Sequence, residues 1–154
     1  MKKLYEQDVT FDFVTYRKFT LIVNRTRLSV FLTLIFLVGY LLAAMTSGNT
    51  SWLLNILGGL AFMFLFFAFY TVMIKRTYTS NEAMQNLAVH YNFFDTYVEQ
   101  TSSLGKTRFD YTNIYKIVED KTAIYLLVGR QQGLVIPKKT ADEPFNNFIR
   151  NINK

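Results

Sequence analysis

From residue 28 to residue 74 the chain carries no Lys, Arg, Asp, Glu or His, only Leu, Ile, Val, Phe, Met and Ala interspersed with small or uncharged polar residues. A short polar turn at 46–51 divides the run into two apolar segments, 28–45 and 52–74. At about 1.5 Å of rise per helical residue the two segments reach about 27 Å and about 34 Å, against a hydrocarbon core of about 30 Å. In hydrocarbon the backbone has to satisfy its own hydrogen bonds, so both segments read as helices, and so short a connection makes them an antiparallel transmembrane hairpin. The hairpin of a soluble core does not fit, because too little chain remains to cover it.

The periods change on either side. Val9, Phe11 and Phe13 alternate with Thr10 and Asp12, which predicts a strand over 9–14 with one buried face. Thr15 suits a helix start, after which Tyr16, Phe19, Ile22 and Val23 fall on one face and Arg17, Lys18 and Arg25 on another. That pattern reads as an interfacial helix, with a basic extension of the first membrane helix as the alternative. Beyond a linker at 75–83, alternation resumes with Leu87, Val89, Tyr91 and Phe93, and strands are predicted near 86–93, 96–101, 107–111, 114–119, 122–129 and 134–137. A final helix starts between Thr140 and Glu143, through a Thr140–Glu143 capping box or with Pro144 in its first turn, and buries Phe145, Phe148, Ile149 and Ile152. A lone strand leaves its backbone unpaired and a small sheet has a free edge, so the N-terminal strand should join the C-terminal sheet and bury Phe11 and Phe13.

Charge sharpens this picture. The chain of 154 residues has a net charge of +6 and no cysteine, which leaves no disulfide framework and no thiolate chemistry. Residues 13–27 carry +4 and residues 84–154 only +2, so the basic excess sits beside the apolar run and nucleic acid is an unneeded partner. Arg17, Lys18, Arg25 and Arg27 precede the hairpin, Lys75 and Arg76 follow it, and its turn has no basic residue, which places both termini in the cytoplasm. A cleavable signal peptide is not expected, because the first apolar run begins late, follows several acids and lacks a clear cleavage pattern. Gly39 and Gly59 lie at similar depth, so the helices should meet there, with Ala43 and Asn55 opposite each other one turn nearer the outside. Trp52 and Tyr78 read as boundary anchors. Asn24-Arg25-Thr26 and Asn49-Thr50-Ser51 match a glycosylation triplet, but neither stands in the exposed loop that would give it meaning.

Candidate chemistry is sparse. No ionisable group interrupts the hairpin, which disfavours a transporter or channel. Glu119-Asp120 would point to opposite faces of a strand and so suits a turn, and Asp142-Glu143 suits the first turn of a helix. His90 falls on the polar face of its strand without the converging ligands a metal site needs. No glycine spacing makes a phosphate loop. Lys138-Lys139 could touch anionic headgroups, at about 1 kcal/mol per basic residue near the surface.

The run Phe109-Asp110-Tyr111-Thr112-Asn113-Ile114-Tyr115-Lys116-Ile117-Val118-Glu119, then Ala123-Ile124-Tyr125-Leu126 and Val135-Ile136-Pro137-Lys138-Lys139, resembles the C-terminal domain of YcxB-like bacterial membrane proteins. The order of parts is similar too, and Tyr111 stands where that family frequently has Trp. The resemblance implies a small domain related to bacterial pleckstrin-homology folds and a membrane address; it implies no activity, ligand or catalytic residue.

The sequence therefore reads as an α+β membrane protein: a cytoplasmic strand and interfacial helix at 1–27, a transmembrane hairpin at 28–74, a linker at 75–83, and a pleckstrin-homology-like antiparallel β domain at 84–154 capped by a C-terminal helix. It is expected to be a non-enzymatic, multi-pass module of the cell membrane without cofactor or metal, which binds a protein partner. Recognition of anionic headgroups by the same domain is the alternative, a membrane enzyme a distant third, and a homo-oligomer is left open. The candidate membrane-surface contacts are Arg17, Lys18, Arg25, Arg27, Lys75, Arg76, Lys138 and Lys139; the candidate helix-packing residues are Gly39, Ala43, Asn55 and Gly59.

Overall fold

The computed structural model describes residues 3–46, 51–129, 132–139 and 141–152. The chain divides into two compact units, one made of Asn24–Thr77 and the other of Met1–Val23 together with Tyr78–Lys154.

The second unit is built from both ends of the chain. Strand β1 (Tyr5–Phe11) lies at the edge of a four-stranded antiparallel sheet with β2 (Leu87–Phe93), β3 (Tyr97–Ser102) and β4 (Gly105–Asp110), in the order β1-β2-β3-β4. The N-terminal strand thus does join the distal sheet, pairing Tyr5 with Phe93, Val9 with Val89 and Phe11 with Leu87. A three-stranded antiparallel sheet follows, β5 (Lys116–Glu119), β6 (Ala123–Leu127) and β7 (Gly133–Pro137), then helix α4 (Glu143–Asn151). Val9, Val89, Tyr91, Phe93 and Val98 of the first sheet, Ile124, Leu126, Leu134 and Ile136 of the second, and Phe145 and Ile149 of α4 form one buried core. The cap of α4 is Asp142, whose side chain accepts from the Phe145 N–H at 3.0 Å, with Pro144 in the first turn. The alternative capping box needs Thr140, which lies outside the described residues.

Strand β1 begins and ends earlier than its alternation suggests, because Gln7 and Val9 are the inward residues and the helical period has begun by Phe13. Helix α1 (Phe13–Val23) starts under Asp12, which accepts from the Thr15 N–H at 2.8 Å, so the cap is Asp12 and not Thr15. Phe11 is half-buried against the core, whereas Phe13 packs its ring on Tyr78 with centroids 5.6 Å apart.

All five residues of β6 are buried. A strand with continuous apolar side chains needs cover on both faces. One face of the second sheet meets the core. On the other, Ala123, Tyr125, Leu127 and Val135 are covered by Phe19, Ile22 and Val23 of α1. The apolar stripe that suggested an interfacial helix is therefore occupied by protein. Gly133 permits this approach: a Cβ there would lie 2.7 Å from the Leu126 carbonyl oxygen and 3.2 Å from the Phe19 ring.

The first unit holds most of two long helices, α2 (Arg25–Thr46) and α3 (Trp52–Ser80). Asn24 separates α1 from α2, so the basic segment is not a simple extension of α2. The stretch read as a linker is instead helical as far as Ser80. Thr77 and Tyr78 explain why: Thr77 Oγ1 donates back to the Met73 carbonyl at 3.0 Å, and buried Tyr78 stacks near Tyr16 at 5.4 Å and donates its hydroxyl to the Phe11 carbonyl at 3.1 Å. Within 24–77, Phe31 meets Phe66 with ring centroids 5.0 Å apart, Gly59 meets Phe36, Gly39 meets Gly59, and Ala43 meets Gly58, so the two helices run in opposite directions. The stretch between them at 47–50, most of the polar turn expected at 46–51, lies outside the described residues.

Candidate functional site

One group of charged residues in the sheet unit lies around the turn between β5 and β6. Glu119 accepts from Arg150 Nη2 at 2.7 Å and from Lys138 Nζ at 2.6 Å, tying α4 and the end of β7 to β5. These hydrogen bonds, first from Arg150 and then from Lys138, hold the Glu119 carboxyl down at about 2. Asp120 accepts from the Thr122 and Ala123 N–H groups at 2.6 and 2.7 Å and from the Tyr125 hydroxyl at 3.1 Å. Burial pushes the Asp120 carboxyl up, but the Thr122 and Ala123 N–H groups together with the Thr122 and Tyr125 hydroxyls outweigh it and the net shift is downward. Both acids therefore hold structure together, which is the work a short polar side chain does in a tight turn.

Beside this turn, the N-terminal end of α1 and the outer face of the second sheet enclose a hollow of about 340 Å³ lined by Asp12, Thr15, Lys18, Tyr125, Pro137 and Lys139 among others. Lys18 reaches out from α1 to donate to Thr122 Oγ1 at 3.0 Å. Burial, then the neighbouring Asp120 charge, pushes the Tyr125 hydroxyl up, so it stays a neutral donor. The arrangement offers cationic and hydroxyl donors on an apolar floor and could hold a small polar or anionic group.

The eight basic residues proposed as membrane-surface contacts divide between the two units. Arg17 is exposed on α1, Lys18 and Lys139 share the hollow, and Lys138 is engaged by Glu119 and by the Asp120 carbonyl at 2.5 Å. Arg25 and Arg27 are exposed in the first turn of α2, and Lys75 and Arg76 are exposed in the last part of α3. Of the helix-packing residues, Gly39 is buried, and a Cβ on it would lie 2.6 Å from the Phe62 Cβ and 3.1 Å from the Gly59 Cα. Ala43 lies against Gly58, and Asn55 is fully buried.

His90 has a partner that its own strand does not reveal. The β1–β2 register sets it directly opposite Asp8, whose carboxylate lies 2.6 Å from His90 Nδ1, while Nε2 lies 3.2 Å from Asn92 Oδ1. The Asp8 hydrogen bond, partly offset by burial, raises the imidazole above its ordinary value. Asp8 falls just before the strand predicted over 9–14, so the missing signals were the true start of that strand and its register. Among the described residues no three His, Cys, Asp or Glu side chains converge as a metal would need.

Residues 93–149 match the family model described as YcxB-like protein. The match runs from the end of β2 into α4. A search of curated proteins finds no match, and a search of solved structures finds none either. The matched stretch contains Tyr111, which is buried and donates its hydroxyl to the Phe94 carbonyl at 2.7 Å. It leaves out β1 and α1, which complete the first sheet and cover the second. Both α2 and α3 are long and apolar enough to cross a membrane, and only 6% of the apolar window of each is buried. Family resemblance and helices together fit a membrane-associated protein.

Proposed function

We propose that this chain is a membrane-anchored, non-enzymatic module whose hairpin crosses the membrane twice and tethers a pleckstrin-homology-like domain at the cytoplasmic face, where it binds a protein partner. One observation carries the topology: β1 precedes the two long helices, β2 follows them, and the two strands pair residue for residue from Tyr5–Phe93 to Phe11–Leu87. A chain that leaves a sheet, enters a membrane and returns to the same sheet must come back to the side it left. The basic residues at the helix ends nearest the sheet-forming segments, against none at 46–51, favour the cytoplasm as that side.

Two antiparallel meanders of four and three strands closed by a C-terminal helix support the pleckstrin-homology-like reading. Glu119 and Asp120 are committed to structural bonds, and His90 to a cross-strand pair, which supports binding over catalysis. Leu104, at the β3–β4 turn, and Tyr115, before β5, present exposed apolar surface to a partner. In-cell photo-crosslinking from Leu104 and Tyr115, read by mass spectrometry, is expected to recover one protein repeatedly. Crosslinks to lipid alone would overturn the protein-partner reading. The headgroup alternative is favoured by the hollow beside Lys18 and Lys139. It predicts that Lys18→Gln with Lys139→Gln abolishes a salt-sensitive preference for anionic vesicles. The sample for both tests is the full chain, because 84–154 alone lacks β1 and the cover of α1.

A further inference from the structure

The hairpin carries a crevice that its packing does not require. On one side of α2 and α3, Asn24, Arg27, Leu28, Phe31, Phe66 and Tyr70 enclose about 290 Å³. Its lining is sorted by depth. Phe31 and Phe66 make an edge-to-face pair with centroids 5.0 Å apart, which forms a floor. One helical turn, about 6 Å, towards the end away from the interhelical turn, Arg27 stands on α2 and Tyr70 on α3, with Asn24 beyond. Arg27 is also about 28 Å along the helix from Thr46, close to the full thickness of a hydrocarbon core. It therefore lies at headgroup level while the aromatic floor lies at the level of the first acyl carbons. Among the described residues no carboxylate pairs with Arg27. A guanidinium presents a planar fork of donors that matches a phosphate oxygen pair, and an exposed aromatic floor in hydrocarbon is filled by whatever chain lies against it.

We propose that this crevice is a specific site for one anionic phospholipid, with the phosphate on Arg27, supported by the polar groups of Asn24 and Tyr70, and the head of one acyl chain against Phe31 and Phe66. The occupant is a bilayer lipid and not a soluble phosphate, because the charge stands at the mouth of an apolar slot. The site differs from a diffuse basic belt: Arg25, in the same first turn of α2, and Arg76 on α3 are not part of it. The inference rests on the reading that α2 and α3 lie in a bilayer.

The test is native mass spectrometry of the full chain released from nanodiscs of phosphatidylcholine with a minority of phosphatidylglycerol. The wild-type chain should retain one phosphatidylglycerol in preference to phosphatidylcholine. Arg27→Gln should reduce that retention about tenfold, as loss of a charge-assisted bidentate contact does, whereas Arg25→Gln and Arg76→Gln should keep it and Arg27→Lys should recover part of it. Phe66→Ala should shorten retention of both lipids without changing their order. Equal retention of the two lipids, equal losses from all three Gln variants, or displacement by soluble glycerol phosphate would each overturn the site. A wild-type chain that fails to enter nanodiscs would overturn the membrane reading itself, a result separable from incorporation without selectivity.

Discussion

The hairpin and the sheet unit use the same apolar residues in opposite ways. In α2 and α3 the large side chains face outwards: Leu34, Leu41, Leu53, Leu57, Phe64 and Leu65 are all more than half exposed. The closest approach of the helices is made at Gly39, Gly58, Gly59 and Ala43, with Phe36 against Gly59 and Phe31 against Phe66 beside it. In the sheet unit the large residues are inside, with Tyr91, Phe93, Ile124, Leu126 and Ile136 sealed from solvent and charges on the rim. Hydrophobicity by itself thus predicts a side chain's surroundings and not its depth. Where water is the solvent, apolar burial drives packing; where lipid is the solvent there is no such gain, and helices associate by close approach at small residues.

This contrast predicts opposite mutational rules. In the sheet unit, Leu126→Ala should destabilise by about 2–5 kcal/mol, the cost of a cavity in a core facing both sheets. Leu57→Ala, on the outward face of α3, should leave the unfolding midpoint in detergent almost unchanged. Equal losses from the two substitutions would erase the distinction.

The next largest effect runs the other way. Gly59→Leu places a side chain where even a Cβ would be 2.7 Å from the Phe36 ring and 2.9 Å from its carbonyl oxygen. It should cost about 1–3 kcal/mol or more in hairpin stability, seen as a lower midpoint in detergent, while amide exchange in Ala123–Leu127 stays as it was.

Smaller effects belong to the charges of the sheet unit. The depressed Glu119 carboxyl contributes stability that is present above its ordinary value of 4.5 and lost as pH falls towards about 2. Glu119→Gln should therefore lower the midpoint at neutral pH, and the difference from wild type should vanish near pH 2. His90 has the reverse sign. Its raised imidazole contributes stability that is complete below about 6.5 and lost as pH rises through the higher folded value. The pair is well exposed, so the effect should be only about 0.2–1 kcal/mol, and Asp8→Asn should flatten it.

Much of this division was legible in the residues. The uncharged run announces the two helices, and the alternation at 87–93 announces a one-sided strand. The continuous apolar run at 123–127 is the pattern of a strand covered on both faces. What it could not say was by what, and α1 was read by its charge as a helix lying on lipid, although its stripe of Phe19, Ile22 and Val23 packs on that sheet. The His90–Asp8 pair was hidden for a similar reason, since partners separated by a hairpin insertion become neighbours only when the register is known. Polar Thr77 to Ser80 looked like a linker because tertiary bonds of Tyr78, not local propensity, keep them helical.

The central claim is that one sheet is assembled from strands on both sides of the apolar helical hairpin, and a cross-strand disulfide tests it directly. The chain has no native cysteine. Thr10 pairs with Ala88, and directly opposed residues of an antiparallel pair lie about 4.5–5.5 Å apart at Cα, within disulfide reach. Thr10→Cys with Ala88→Cys in the full chain, oxidised in native membranes, should give an intramolecular crosslink, while Thr10→Cys with Asn92→Cys should give none. Absence of the first crosslink, or its appearance only between two chains, would contradict the account.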